Sequence, residues 1–167
     1  MNRSSLRSVM PHVMHSFVME INGLPLHALV VHGAVVLTPL AALAALVYAV
    51  PGRWRDWLRW PVAIAAVIAV GAVWTAYLSG EDLVDGNPYG GPLAELLETH
   101  EDRANIFRWA ATGFAAAALA ATGLHRREGA VRIVLGVVLA VLAVLTLVYA
   151  ILTGDAGAQI AWYGVGD

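Results

Sequence analysis

Residues 24–50 read LPLHALVVHGAVVLTPLAALAALVYAV, and this stretch decides the fold class. Its 27 residues include no Asp, Glu, Lys or Arg. Because about 20 apolar residues in a helix cross the roughly 30 Å hydrocarbon core of a bilayer, the stretch predicts a membrane-spanning helix. Two histidines, His27 and His32, lie near one end of it, and ionisable groups in an apolar span usually have a functional reason.

The whole chain shares this apolar character. Of its 167 residues, 59% are hydrophobic and only 13% are charged, whereas soluble domains carry about 25% charged residues. The net charge of −2 argues against a nucleic-acid partner. The sequence has no cysteine, which excludes disulfides, thiolate-bound metals and covalently attached c-type haem within this chain. We therefore expect a membrane protein that contacts the lipid bilayer.

Hydropathy divides the chain into an N-terminal tail, residues 1–20, and a four-span membrane domain, residues 21–167. The fold class that we predict is all-α, a polytopic membrane four-helix bundle. Residues 92–124 are expected to form one long helix whose second part is the third span, and residues 53–60 and 80–91 are expected to be connections. The four predicted spans are residues 24–50, 61–79, 104–124 and 131–153.

The charges of the connections predict the orientation. The connection between spans 1 and 2 carries three arginines, and that between spans 3 and 4 carries Arg126 and Arg127, whereas the longer connection between spans 2 and 3 is acidic. Because basic loops stay in the cytoplasm, we predict short cytoplasmic loops, an extracytoplasmic 2–3 connection and both termini outside. His125, in the second basic connection, is expected to be a solvated loop residue.

This topology delivers titratable side chains from all four helices to the extracytoplasmic end. His27 and His32 are five residues apart, hence about 140° apart around an ideal helix and about 7.5 Å apart in height. We therefore expect one of them to pair with His100. The set comprises His27 and His32 in span 1, Glu81 after span 2, His100 before span 3 and Asp155 after span 4.

These residue types suit two kinds of metal centre. Imidazole binds Zn, Cu and Fe, and carboxylates add oxygen ligands. His27, His32 and His100 are candidate ligands of haem b in a helical bundle, and the same three residues with Glu81 and Asp155 are candidate ligands of a non-haem transition metal (Fe, Zn, Cu or Mn). A proton-coupled transporter would need ionisable groups at mid-membrane, and spans 2 and 4 have none.

Four motifs in order carry a resemblance to a known family. They are LPLHALVVH at residues 24–32, SGE at residues 79–81, the region of His100, and TGDAGA at residues 153–158. Together they resemble a bacterial four-span membrane family of unknown function, some members of which are joined to, or encoded beside, a Rieske-type iron–sulfur domain. The chain departs from many relatives at Ala28, where they have Pro, and at Asp155, where they have His.

The resemblance implies redox work at the membrane, with a b-type haem as a plausible cofactor. We therefore expect a multi-pass protein of the bacterial inner (plasma) membrane that takes part in electron transfer. Its expected partners are lipid, a Rieske-type or other redox protein, and further copies of itself. We do not expect an enzyme by itself. The alternative is a cofactor-free membrane scaffold or assembly partner of a redox complex.

Overall fold

A computed structural model describes residues 20–21, 24–85 and 89–164 of the chain. The predicted N-terminal tail lies outside the described residues except for Glu20. Strand β1, Glu20–Ile21, pairs antiparallel with strand β2, Leu24–Pro25, just before the first helix. Four long helices follow: α1 (Leu26–Ala49), α2 (Trp54–Asp85), α3 (Pro92–Gly123) and α4 (Ala130–Ala161).

The four helices form an antiparallel bundle in chain order. Each helix packs against the next, and α4 closes the bundle against α1, so that α1 lies diagonally across from α3 and α2 across from α4. The prediction of an all-α four-helix bundle is confirmed, as is that of one long helix beginning at Pro92. By length and composition, α1, α2 and α4 can each cross a membrane.

The helices extend beyond the predicted spans, and two expected connections are partly wrong. α2 begins at Trp54 rather than near Pro61 and continues to Asp85, and α4 continues to Ala161. A helix of 32 residues is about 48 Å long, so it exceeds the roughly 30 Å hydrocarbon core. Hydropathy marks only the apolar part of such a helix, which is why the polar ends were read as connections.

The bundle places small side chains inside and large ones outside. Its main buried cluster consists mostly of alanines, with Tyr48, Phe114 and Leu139 as the largest members. Large aliphatic side chains such as Leu40 and Ile133 point outward, with 59% and 62% of their surface exposed. This inverts the pattern of a water-soluble bundle and suits helices that are surrounded by lipid and packed through small residues.

One charged side chain within the third predicted span has aromatic partners. The Arg108 guanidinium lies 3.9 Å from the centre of the Tyr77 ring and 5.2 and 5.5 Å from those of Trp74 and Trp109. The Trp74 indole also donates to Thr112 Oγ1, at 2.9 Å. Cation–π contacts of this kind offset part of the cost of a charge near the apolar region.

The two helical hairpins, α1–α2 and α3–α4, bury the same positions. Counted from His27, the buried residues of α1 lie at positions +7, +11, +14, +15, +18 and +21. Counted from His100, the residues at the same six positions of α3 are also buried. Each buried residue of α4 lies 77 positions after a buried residue of α2. The bundle is therefore a structural repeat of one hairpin, with His27 and His100 in equivalent places.

Gly113, on α3, faces another helix. A Cβ atom at this position would lie 3.5 Å from Cδ2 of Leu142 on α4. At Gly71, on α2, a Cβ atom would have no heavy atom within 4 Å.

Replacing Gly113 by Leu should therefore lower the thermal stability of the purified protein in detergent. The added carbons overlap Leu142, and overpacking of this kind costs about 1–3 kcal/mol. Gly71→Leu is the matched control and should leave the melting temperature nearly unchanged. Equal melting temperatures for both variants would mean that the α3–α4 contact is not close-packed at Gly113.

Candidate functional site

His27, in the first turn of α1, is held by the far part of α2. Its Nδ1 lies 2.8 Å from the carbonyl oxygen of Ala76, and 3.5 Å from Ser79 Oγ. A carbonyl only accepts, so Nδ1 carries the proton and donates it. The ring lies over Gly80, where a Cβ atom would be 3.1 Å from Cε1 of the imidazole. The glycine thus makes the close approach of the ring to α2 possible.

His100, in the first half of α3, is held by α4 in the same way. Its Nδ1 donates to the carbonyl oxygen of Thr153, at 3.1 Å. A Cβ atom at Gly157 would lie 3.1 Å from Cε1 of the His100 ring. In both hairpins the accepting carbonyl lies four residues before the glycine that faces the ring. We call the part of the bundle defined by His27, Gly80, His100 and Gly157 the histidine end.

The two imidazoles lie at the same end of the bundle, on diagonal helices. His100 lies before the apolar part of α3, and burial lowers its pKa below the ordinary value because it disfavours the charged ring. The hydrogen bond to Thr153 opposes this shift, whereas positive charge on His27 and on Arg103 lowers the pKa further. The two rings are therefore within electrostatic range. Because Nδ1 of each ring holds the proton, Nε2 of each neutral ring keeps its lone pair.

His32 does not join this pair. Its side chain is exposed, and its Nδ1 donates to the Ala28 carbonyl oxygen of its own helix, at 2.6 Å. The structure thus places His27 and His100, but not His32, against a neighbouring helix at this end of the bundle. The helical offset of 140° explains why only one histidine of span 1 faces the bundle.

The two carboxylates of the predicted set lie at the same end but have other neighbours. Glu81 is exposed and lies beside the Tyr77 hydroxyl. Asp155 Oδ2 accepts from Gln159 Nε2, at 2.9 Å, and lies 3.7 Å from Arg103 Nη1, with 62% of its side chain exposed. Within the described part of the chain, no three His, Asp or Glu side chains are arranged to hold a metal ion.

The opposite end of the bundle holds a polar network that the sequence analysis missed. His125 is not a solvated loop residue, since only 12% of its side chain is exposed. Its Nδ1 lies 3.0 Å from the Tyr48 hydroxyl and its Nε2 lies 2.8 Å from Asp56 Oδ1. The Tyr48 hydroxyl donates to the Ala121 carbonyl oxygen, at 2.9 Å. The buried tyrosine at the end of span 1 was the signal that a polar partner had to lie nearby.

Two arginines complete this network. Arg55 Nη1 donates to the His125 carbonyl oxygen, at 2.9 Å, and Arg59 Nε donates to the Thr122 carbonyl oxygen, at 3.0 Å. These bonds satisfy carbonyls at the end of α3 that have no partner within the helix. We call the part of the bundle defined by Tyr48, Arg55, Arg59 and His125 the arginine end.

The fold and the apolar outer surface define the class, a helical membrane protein. Within that class the chain belongs to a family described as "Predicted membrane protein (DUF2231)", which matches residues 23–167. This is a membrane family of unknown function, in agreement with the resemblance drawn from the sequence. No curated protein and no solved structure matches the chain.

The low pKa of His100 predicts a pH dependence of stability. In the unfolded chain a histidine takes up a proton below about pH 6.5, whereas folded His100 resists protonation because it is buried. The unfolded state then binds more protons, so stability is full above about pH 6.5 and falls as the pH is lowered through that value. Thermal unfolding in detergent at several pH values measures this loss. His100→Gln should reduce it, whereas His32→Gln should not; an unchanged pH profile in His100→Gln would contradict the assignment.

Proposed function

We propose that the protein binds a metal centre at the histidine end through Nε2 of His27 and Nε2 of His100, and that this centre is haem b. The observation that carries the proposal is the matched pair of imidazoles on diagonal helices, each with its Nδ1 proton given to a backbone carbonyl. Metal-binding histidines commonly donate their second ring nitrogen in this manner, which fixes the tautomer and the direction of the lone pair. Haem iron can take two axial histidines in a helical bundle.

The ligand count favours haem over a non-haem ion. A porphyrin supplies four nitrogen ligands and leaves two axial positions, which matches two histidines. A non-haem zinc or iron site needs three or four protein ligands, and the carboxylates of Glu81 and Asp155 are exposed and have other neighbours. Thr153 Oγ1, on the residue whose carbonyl holds His100, is buried without a hydrogen-bond partner among the described residues. This polar atom suits a site that also accommodates a bound group.

When bound, haem would supply one-electron chemistry. His27 and His100 would then be the ligands of the haem iron. The carbonyl oxygens of Ala76 and Thr153 would orient the two rings by accepting their Nδ1 protons. The function that we propose is electron transfer by a membrane subunit that is not an enzyme by itself. A Rieske-type or other redox protein is the partner that the family resemblance suggests, and the histidine end is where we expect it to dock.

We further propose that α3 also crosses the membrane, so that all four helices are spans. The arginine end would then face the cytoplasm of a bacterium, and the histidine end would face outward across its plasma membrane. The support is the charge asymmetry, since the arginine-rich segments lie at one end, whereas acidic side chains occupy the end of α2 and the beginning of α3 at the other.

The orientation can be tested with single cysteines, because the natural chain has none. Arg53→Cys places a thiol in the exposed turn before α2, and Asp85→Cys places one at the exposed end of the same helix. A membrane-impermeant maleimide should label position 85 in intact cells and label position 53 only after lysis. Labelling of position 53 in intact cells would reverse the proposed orientation.

The metal centre predicts a spectrum. Protein purified in mild detergent should show a Soret band with one haem b per chain, and both His27→Ala and His100→Ala should abolish it. His32→Ala is the control and should keep it. Gly157→Ala should lower haem affinity by about 10–100-fold, because its Cβ displaces the His100 ring and breaks the orienting bond. Gly154→Ala, with open space around its Cβ, should bind as the natural protein does.

If the purified protein contains stoichiometric metal but shows no Soret band, the centre is a non-haem ion. Glu81→Gln and Asp155→Asn should then lower the metal occupancy. Neither haem nor metal, even after reconstitution, would favour the second candidate function, a cofactor-free scaffold. One observation supports that alternative: both histidines already join neighbouring helices through Nδ1, so they have a structural role without any ligand.

A further inference from the structure

A cavity of about 320 Å³ lies at the arginine end, at the opposite end of the bundle from His27 and His100. Side chains from the start of α2, the connection after α3 and the start of α4 line it. Four of them are arginines: Arg55, Arg126, Arg127 and Arg132. Asp56 and Glu128 supply the only carboxylates of this lining, so positive charge predominates. A concave surface lined mainly by one sign of charge raises the local concentration of anions.

Three of these arginines have no protein partner among the described residues. The guanidinium of Arg55 is bound to the His125 carbonyl, but no hydrogen bond or ion pair engages those of Arg126, Arg127 and Arg132 within the part of the chain that the structure describes. Arg132 is nevertheless half-buried. A cluster of unpaired guanidinium groups repels itself, and an anion with several oxygens relieves this by accepting paired N–H bonds.

The start of α4 also favours an anion in this cavity. Its N-cap is Gly129, which makes no side-chain hydrogen bond, and its first turn contains no acidic residue. Arg132 is instead the third residue of this helix. A cation near a helix N-terminus is unfavourable, whereas an anion there is stabilised by the free backbone N–H groups and the helix dipole.

The cavity has a fixed wall. His125 is bound on one side to Tyr48, which is anchored on Ala121, and on the other side to Asp56. These contacts hold the connection after α3 against α1 and α2. Hydrogen bonds therefore hold in place the part of the bundle that bears the arginines of the cavity.

Neighbouring aromatic residues indicate where the anion comes from. Trp54, Trp57 and Trp60 project outward from the first two turns of α2 with more than half of their surface exposed. Exposed tryptophans interleaved with arginines are typical of the headgroup level of a membrane. The cavity opens at that level, where the phosphates of lipid headgroups are abundant.

We propose that this cavity binds the phosphate group of an anionic phospholipid headgroup through Arg126, Arg127 and Arg132. The site is independent of any metal centre at the histidine end. It would attach the arginine end to the anionic leaflet of the membrane, in the way that basic pockets beside membrane helices bind anionic lipids.

The test uses the full chain in neutral detergent, with dioleoylphosphatidylglycerol, dioleoylphosphatidylcholine and inorganic phosphate as separate probes. Lipid binding is followed by native mass spectrometry and by the rise in melting temperature. Phosphatidylglycerol should bind and phosphatidylcholine should not. Arg132→Gln should weaken phosphatidylglycerol binding about fivefold and Arg126→Gln/Arg132→Gln by more than about tenfold. Arg53→Gln, which removes an exposed charge outside the cavity, should change it by less than about twofold.

Glu128→Gln keeps the proposal testable even if an arginine variant folds poorly, because removing this carboxylate should tighten phosphatidylglycerol binding several-fold. Equal binding of the two lipids, or unchanged affinity in both Arg132→Gln and Glu128→Gln, would overturn the proposal. Inorganic phosphate should raise the melting temperature only at a much higher concentration than phosphatidylglycerol does. If inorganic phosphate raises the melting temperature at the concentrations used for the lipid, and phosphatidylglycerol does not raise it, the lipid source is wrong. The cavity then takes a soluble phosphate compound.

Discussion

The structure depends on close contact between helices that have no hydrophobic reason to associate. In lipid, an outward leucine is as well solvated as a buried one, so helices hold together through small residues that let backbones approach. The buried cluster of alanines that includes Ala42, Ala45, Ala66, Ala118 and Ala143 does this over most of the bundle. Such contact alone gives little directional preference, because alanine faces resemble one another. Polar side chains at the two ends supply the direction that the alanines lack.

At each end, side chains reach across to backbone carbonyls of a neighbouring helix. His27 and His100 do so at one end, and Arg59 does so at the other. Tyr48 of α1 reaches further, to the Ala121 carbonyl oxygen of the diagonal helix α3. Hydrogen bonds of this kind fix the register of one helix against the next. The repetition of the histidine–carbonyl–glycine arrangement in both hairpins makes the histidine end nearly symmetric, and that symmetry places two equivalent imidazoles on diagonal helices. These two imidazoles are the residues that would hold the proposed metal centre, and the same fold leaves the arginine-rich end available to a different ligand.

Much of this was available from the sequence. The 27 uncharged residues from Leu24 to Val50 predict the class of fold, and the alternating direction of successive spans predicts that His27 and His100 lie at the same end. The choice between His27 and His32 needed the rotation of α1 about its axis, which hydropathy does not define when nearly every residue is apolar. The environment of His125 was missed because the loop assignment took no account of Tyr48, 77 residues earlier, which meets it only in three dimensions. Aligning the two hairpins on His27 and His100 matches the buried positions of α1 and α3, but it does not match the glycines opposite the rings, because Gly80 and Gly157 are 77 residues apart and the histidines 73.

The hydrogen bonds to the Ala76 and Thr153 carbonyl oxygens require that His27 and His100 both hold their proton on Nδ1, which leaves the lone pair on Nε2 of each neutral ring. The ¹⁵N chemical shifts of the imidazoles, recorded on labelled protein without added metal or haem near pH 7.5 and assigned with single His→Gln variants, measure this directly. The account predicts a protonated Nδ1 and an unprotonated Nε2 for both residues. A protonated Nε2 with a bare Nδ1 on either ring would contradict the carbonyl bonds and remove the basis for a two-histidine centre.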